Sequence, residues 1–248
     1  MRCNWLLIVL IVCSLNVVRA QGEYTRIVVS ADVEAIKISD RVFVHVSYTD
    51  MPQWGRVASN GVIFCSNGEA LLFDTPMTDS LTMTLVRWIT DSLRVRIVGF
   101  VPNHWHSDCI GGMSYIQSLG IPTYASDKTR AMTQKLNLPI PKTSFADSLI
   151  VRVAGDSVLC KYLGAAHTDD NIVVWIPSER VLFAGCMAKE AKSKTLGNIA
   201  DADLASWPKT IARVLAAFPD AHVVIPGHGA PGGREVLHHT QKLLEERK

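Results

Sequence analysis

No run of lysine or arginine interrupts this sequence and no basic stripe stands out, so a nucleic-acid partner is not expected. Charge is scarce as a whole. Asp, Glu, Lys and Arg make up 19% of the 248 residues and apolar residues 48%, a balance that excludes a disordered chain. The one long apolar stretch falls short of the roughly 20 residues a spanning helix needs. No G-x-S-x-G string is present, which disfavours a serine nucleophile on a strand-to-helix elbow. Cysteine is sparse too, with six in the chain, and Cys3 and Cys13 lie in a segment read as a leader. Cys65, Cys109, Cys160 and Cys186 remain. A chain of this length builds its own core without staples, so no essential disulfide is expected.

The leader is residues 1–20. Arg2 supplies a short positive start, Leu6 to Val18 an apolar core, and Val18-Arg19-Ala20 a small-residue cleavage site before Gln21. This predicts an exported, periplasmic protein, off the membrane once the signal peptide is cleaved. Removing Arg2 and Arg19 brings the 25 basic residues down to 23, level with the 23 acidic ones. Residues 21–248 show no linker composition and are expected to form one domain and a monomer.

Short period-2 segments fill Arg26 to Asp74. Gly61 to Cys65 and Ala70 to Asp74 flank Ser66-Asn67-Gly68-Glu69 as a hairpin. A helix follows, capped by Asp79, with Leu81, Leu85, Trp88 and Ile89 at helical spacing. Arg96 to Val101 is a strand. Gly111 to Leu119 and Asp127 to Leu136 are helices, with a strand over Pro122 to Ala125 between them. The second half repeats the plan: strands Leu149 to Val153, Val158 to Leu163, Asn171 to Ile176 and Val181 to Ala184; a helix from about Leu204 to Phe218; the strand His222 to Ile225; and a helix from about Gly232. Strands followed by helices, twice over, predict two sheets packed face to face with helices on the outer faces.

Chemistry concentrates in Asn103-His104-Trp105-His106-Ser107-Asp108, directly after the apolar run Val98 to Val101. Two imidazoles at i and i+2 on extended backbone can reach one ion, and Asp108 points the other way along the loop. His167, in a small-residue turn after a strand, is a natural third nitrogen ligand. Cys186 follows one strand and His228, in Pro226-Gly227-His228-Gly229, another. Zinc takes His nitrogen, Cys sulfur and Asp oxygen. The expected sets are His104, His106 and His167 for one ion and Asp108, Cys186 and His228 for a second, softer one. His45, His222, His238 and His239 are read as packing or surface residues.

These anchors, with Gly185-Cys186-Met187-Ala188-Lys189 and Gly197-Asn198, resemble the metallo-β-lactamases of class B subclass 1, and look closest to the Bacteroides-type carbapenemases. Cys109 stands where thioesterases and nucleases of the wider superfamily typically carry another His, and Cys186 where they carry a bridging Asp. His104 stands where the mono-zinc subclass usually has Asn. The resemblance implies a four-layer αβ/βα sandwich of two mixed sheets. It implies a zinc hydrolase with two Zn2+ per chain that confers resistance by opening the lactam of penicillins, cephalosporins and carbapenems. The attack is by a zinc-held hydroxide, with no covalent enzyme intermediate. Lys189 would hold the substrate carboxylate, Asn198 would help polarise the carbonyl, and Asp108 would serve the second ion. Trp54, in Met51 to Val57, would tip a flap over bound substrate. Asp74 is a plausible carboxylate behind the ligands.

Overall fold

The computed structural model describes residues 24–247, so the leader lies outside the described residues. Six strands form the first sheet, in chain order: β1 (Thr25–Val28), β2 (Val33–Lys37), β3 (Val42–Met51), β4 (Gly55–Ser66), β5 (Glu69–Phe73) and β6 (Arg96–Val101). All neighbours are antiparallel except β5 and β6, which are parallel across the crossover helix α1 (Asp79–Asp91). Next come α2 (Ser107–Ile110), α3 (Met113–Ser118), β7 (Tyr124–Ser126), α4 (Asp127–Lys135) and β8 (Thr143–Phe145), with β7 and β8 making a small parallel pair. The second sheet holds β9 (Ser148–Val153), β10 (Asp156–Tyr162), β11 (Ile172–Ile176), β12 (Val181–Gly185) and β13 (Val223–Pro226), in the order β13-β12-β11-β10-β9. Here β12 and β13 are parallel, joined through α5 (Trp207–Ala217), and α6 (Glu235–Glu246) closes the chain.

Three apolar layers make this a four-layer sandwich. Between the sheets, Val62, Phe64, Leu71 and Phe73 meet Val158, Ile172, Val174 and Phe183. Their sequence neighbours Ile63 and Leu72 face outward and are buried again, under Leu85, Ile89, Met113 and Ile116 of α1 and α3. Leu182 and Val224 are covered in the same way by Ile211 and Val214 of α5 and Val236 of α6. Covering both faces explains why strands such as Ala70 to Phe73 read as unbroken apolar runs. Each such side chain contributes about 1.5–3 kcal/mol by leaving water.

Several local readings shift. The cap of α1 is Thr78, whose hydroxyl accepts from Leu81 N at 3.2 Å; Asp79 instead accepts from Tyr115 N and so ties α1 to α3. The helices begin later than expected, at Met113, Trp207 and Glu235. Asp108 lies in the first turn of the short α2 rather than on open loop. Among the described residues no helix is long and apolar enough to cross a membrane.

Candidate metal centre

Both sheets deliver their functional residues at strand ends along one edge. The chain leaving β6 carries His104 and His106 and enters α2 with Asp108. The loop between β10 and β11 carries His167, while Cys186 directly follows β12 and His228 comes two residues after β13. The edge is stitched across the sheets. Asn103 gives its side-chain amide to Ile172 O at 2.5 Å and takes Ile172 N on its own carbonyl at 3.0 Å. Asn60 of β4 donates to Pro226 O and Gly229 O at 2.9 and 2.8 Å. Two glycines permit this closeness. Gly185 has φ +60, and a Cβ on it would overlap the Asn103 amide; a Cβ on Gly227 would overlap the Cys186 sulfur.

The donor atoms converge. His104 Nε2 is 3.0 Å from His106 Nδ1, which is 3.3 Å from His167 Nε2. Asp108 Oδ2 is 3.1 Å from His228 Nε2 and 3.7 Å from Cys186 Sγ. Ligand atoms of Asp108, Cys186 and His228 all lie within 4.8 Å of one another, as do those of His104, His106 and Asp108, and of His104, His167 and Cys186. Two nitrogens about 2.0–2.1 Å from a tetrahedral zinc stand about 3.3 Å apart, close to these spacings.

The ring hydrogens are committed elsewhere. His104 Nδ1 faces Asn103 Oδ1 at 3.2 Å, His106 Nε2 faces Asp201 Oδ2 at 3.0 Å, and His228 Nδ1 faces the Ala58 carbonyl at 2.7 Å. That leaves lone pairs on His104 Nε2 and His106 Nδ1 pointing at each other, with His167 Nε2 beside them. His104 and His167 do not relieve the clash by taking up protons. Burial pushes His104 down to about 3, helped by the neighbouring His106, and burial likewise lowers His167, whose Nδ1 has no hydrogen-bond partner. A cation of zinc's type fits such a nest.

The second group is charged. Burial works against the Asp108 carboxylate, but the hydrogen bond and charge of His228 outweigh it and hold Asp108 well below the usual range. The Cys109 thiol, donating to Cys186, brings that sulfur down to about 6 despite burial and the nearby Asp108. Burial drives Asp74 well above the usual carboxylate range, although its Oδ1 accepts from Asn103 N at 2.5 Å.

Above the donors opens a cleft of about 820 Å³. Met51, Trp54 and Val57 of the β3–β4 hairpin line it, together with Met77, Ile110 and Leu138. His106, Asp108, His167, Lys189, Asn198 and His228 also line it, while His104 and Cys186 lie beneath, 0% and 2% exposed. Trp54 stands out at 58% exposure. Lys189 is 9% exposed, and burial lowers its pKa against the pull of Cys186 and Asp108. The Asn198 oxygen accepts from Ala200 N at 3.1 Å, which leaves the NH2 group free to donate. All nine residues expected at the site are thus at or under this cleft. Sequence reasoning missed Asp201 and Trp207, whose partners are remote in the chain.

Residues 54–228 match the family model described as the metallo-beta-lactamase superfamily. A metallo-beta-lactamase type 2 of Bacteroides fragilis is 45% identical over 218 residues, covering 88% of each chain. One from Pseudomonas aeruginosa is 34% identical over 209 residues, covering 84% of this chain and 83% of its own. The solved metallo-beta-lactamase from Pontibacter korlensis superposes with a TM-score of 0.83 at 37% identity, over 86% of this chain and 99% of its own.

Proposed function

The chain belongs to the metallo-beta-lactamase superfamily, and from that premise we propose that it is a zinc-dependent β-lactamase. The observation that carries this is the pair of donor sets under one cleft, three imidazoles beside a carboxylate, a thiolate and an imidazole. His104, His106 and His167 would hold one zinc ion, and Asp108, Cys186 and His228 a second. Zinc, when bound, acidifies water toward neutrality and polarises a carbonyl, which is what amide hydrolysis at pH 7 requires.

This chain's own residues do the rest. The Lys189 ammonium holds the carboxylate that β-lactams carry beside the ring nitrogen. The free NH2 of Asn198 donates to the carbonyl oxygen as charge builds there. Trp54 closes over the apolar part of the substrate, and quenching of its fluorescence by a bound inhibitor checks that role. Neither serine nor cysteine attacks, so no acyl-enzyme forms. The relatives' names support a small-molecule β-lactam as substrate.

Purified protein should turn over nitrocefin, lose that activity to a strong chelator and regain it with zinc. Full activity in metal-free protein would sink the reading, and turnover of thioesters or lactones alone would transfer the site to another hydrolysis. Export, with residues 1–20 removed, is checked by the N-terminus of protein recovered from the periplasm, expected at Gln21. A single species at the mass of one chain on size exclusion checks the monomer.

A further inference from the structure

One buried indole touches three parts of the site. Trp207 opens α5 and is 0% exposed. Its Nε1–H donates to the Met187 carbonyl at 2.9 Å, within the short segment that joins Cys186 to Lys189. The Lys189 ammonium rests over its ring, Nζ 5.5 Å from the centroid. It meets the His167 imidazole edge to face, the centroids 5.9 Å apart at 66°. Cys186, Lys189 and His167 come from two separate loops of the second sheet, and this side chain meets both.

We propose that Trp207 is a positioning residue for substrate recognition: it sets where the Lys189 ammonium stands relative to the His167 imidazole, and so sets the span between the group that holds the substrate carboxylate and the place where the amide is cleaved. This rests on the reading of Lys189 given above. The physical basis is the attraction of a cation to the face of an indole, which is strongest for Trp and in a desolvated setting. The hydrogen bond to Met187 stops the indole from turning, so the ammonium has a fixed seat. A lysine on four rotatable bonds would otherwise spread over many positions. Trp207 also packs with Leu182, Ile211 and Val236, and packing alone would justify its size. It would not favour a charged substrate over its neutral ester.

The test therefore pairs a cephalosporin with its carboxylate ester. Trp207→Phe keeps an aromatic face and loses the donor; Trp207→Leu loses both. The Leu variant should lower kcat/KM for the acid about tenfold more than for the ester, mainly through KM, with Phe in between. In a Lys189→Ala background, Trp207→Leu should affect acid and ester alike. A measurement without turnover stands beside this: the indole N–H resonance of Trp207, assigned by its loss in Trp207→Phe, should move in Lys189→Met. An acid-to-ester ratio unchanged by Lys189→Ala overturns the Lys189 reading and this inference with it. A ratio that responds to Lys189→Ala but not to Trp207→Leu, or an indole resonance unmoved in Lys189→Met, overturns this inference alone.

Discussion

His106 turns Nδ1 toward His104 and His167 while its other nitrogen is held, Nε2 standing 3.0 Å from the Asp201 carboxylate. The pairing selects one tautomer and one ring orientation out of several, and partners of this kind are typically worth about 10–100-fold in metal affinity. Asp201→Ala should weaken zinc binding by about that factor in competition with a chromophoric chelator, and Asp201→Asn, which keeps an acceptor, by less. Unchanged affinity in both would mean that the ring is oriented by its contact with Trp105, whose centroid lies 4.4 Å away.

Cys186 supplies the only sulfur among the proposed ligands, and Ser at neutral pH is a poor substitute for a thiolate. Cys186→Ser should bring metal content toward one zinc per chain, with activity reduced. The three imidazoles, which do not depend on that sulfur, should stay loaded. Two tightly held ions in the variant would remove Cys186 from the ligand set.

Lys189 gives the sharpest kinetic contrast. A charge-assisted hydrogen bond to the substrate carboxylate contributes roughly 1.5–3 kcal/mol, or about ten- to a hundredfold. Lys189→Ala should lower kcat/KM by that factor at unchanged zinc content, and Lys189→Glu should lower it further, since it repels the same group. Equal efficiency of Lys189→Ala and the parent enzyme would reduce Lys189 to a buried lysine without a substrate role.

His45 carries a pH prediction. It is wholly buried in β3 with Nε2 3.1 Å from the Asp74 carbonyl, and burial lowers its pKa from 6.5 to about 4. The unfolded chain therefore takes up this proton at a higher pH than the folded one. The stabilisation is complete above about pH 6.5 and is lost as pH falls from 6.5 toward 4, by roughly 3 kcal/mol in all. Urea midpoints across that window, compared between the parent and His45→Gln at saturating zinc, should show the parent losing its advantage on acidification. Parallel curves would place the proton elsewhere.

The sandwich was legible because covering both faces of each sheet leaves a local mark, runs such as Ala70 to Phe73, and because α1 and α5 repeat at 3.6 residues. The cap of α1 lies one residue before the one expected, since Thr78 and Asp79 both make good caps and only the tie from Asp79 to Tyr115 decides between them. β8 has three residues, too few for a period to show. At the site, His104, His106 and Asp108 betray themselves by lying within five positions. Asp201 sits 95 residues from His106, and no spacing rule spans that distance. Trp207 falls inside the span expected as a helix from about Leu204, and nothing in that pattern marks it as a neighbour of Lys189 and His167.

Each donor set draws on both sheets: His104, His106 and Asp108 descend from the first, His167, Cys186 and His228 from the second. An ion in either set is therefore a clasp across the sandwich. Binding that the native form offers and the unfolded chain does not adds directly to stability, growing with the logarithm of free metal over Kd. Metal supply would then govern how long each molecule survives proteases as well as how fast it works. Withdrawing metal would then shorten the protein's lifetime in the same stroke that stops its chemistry.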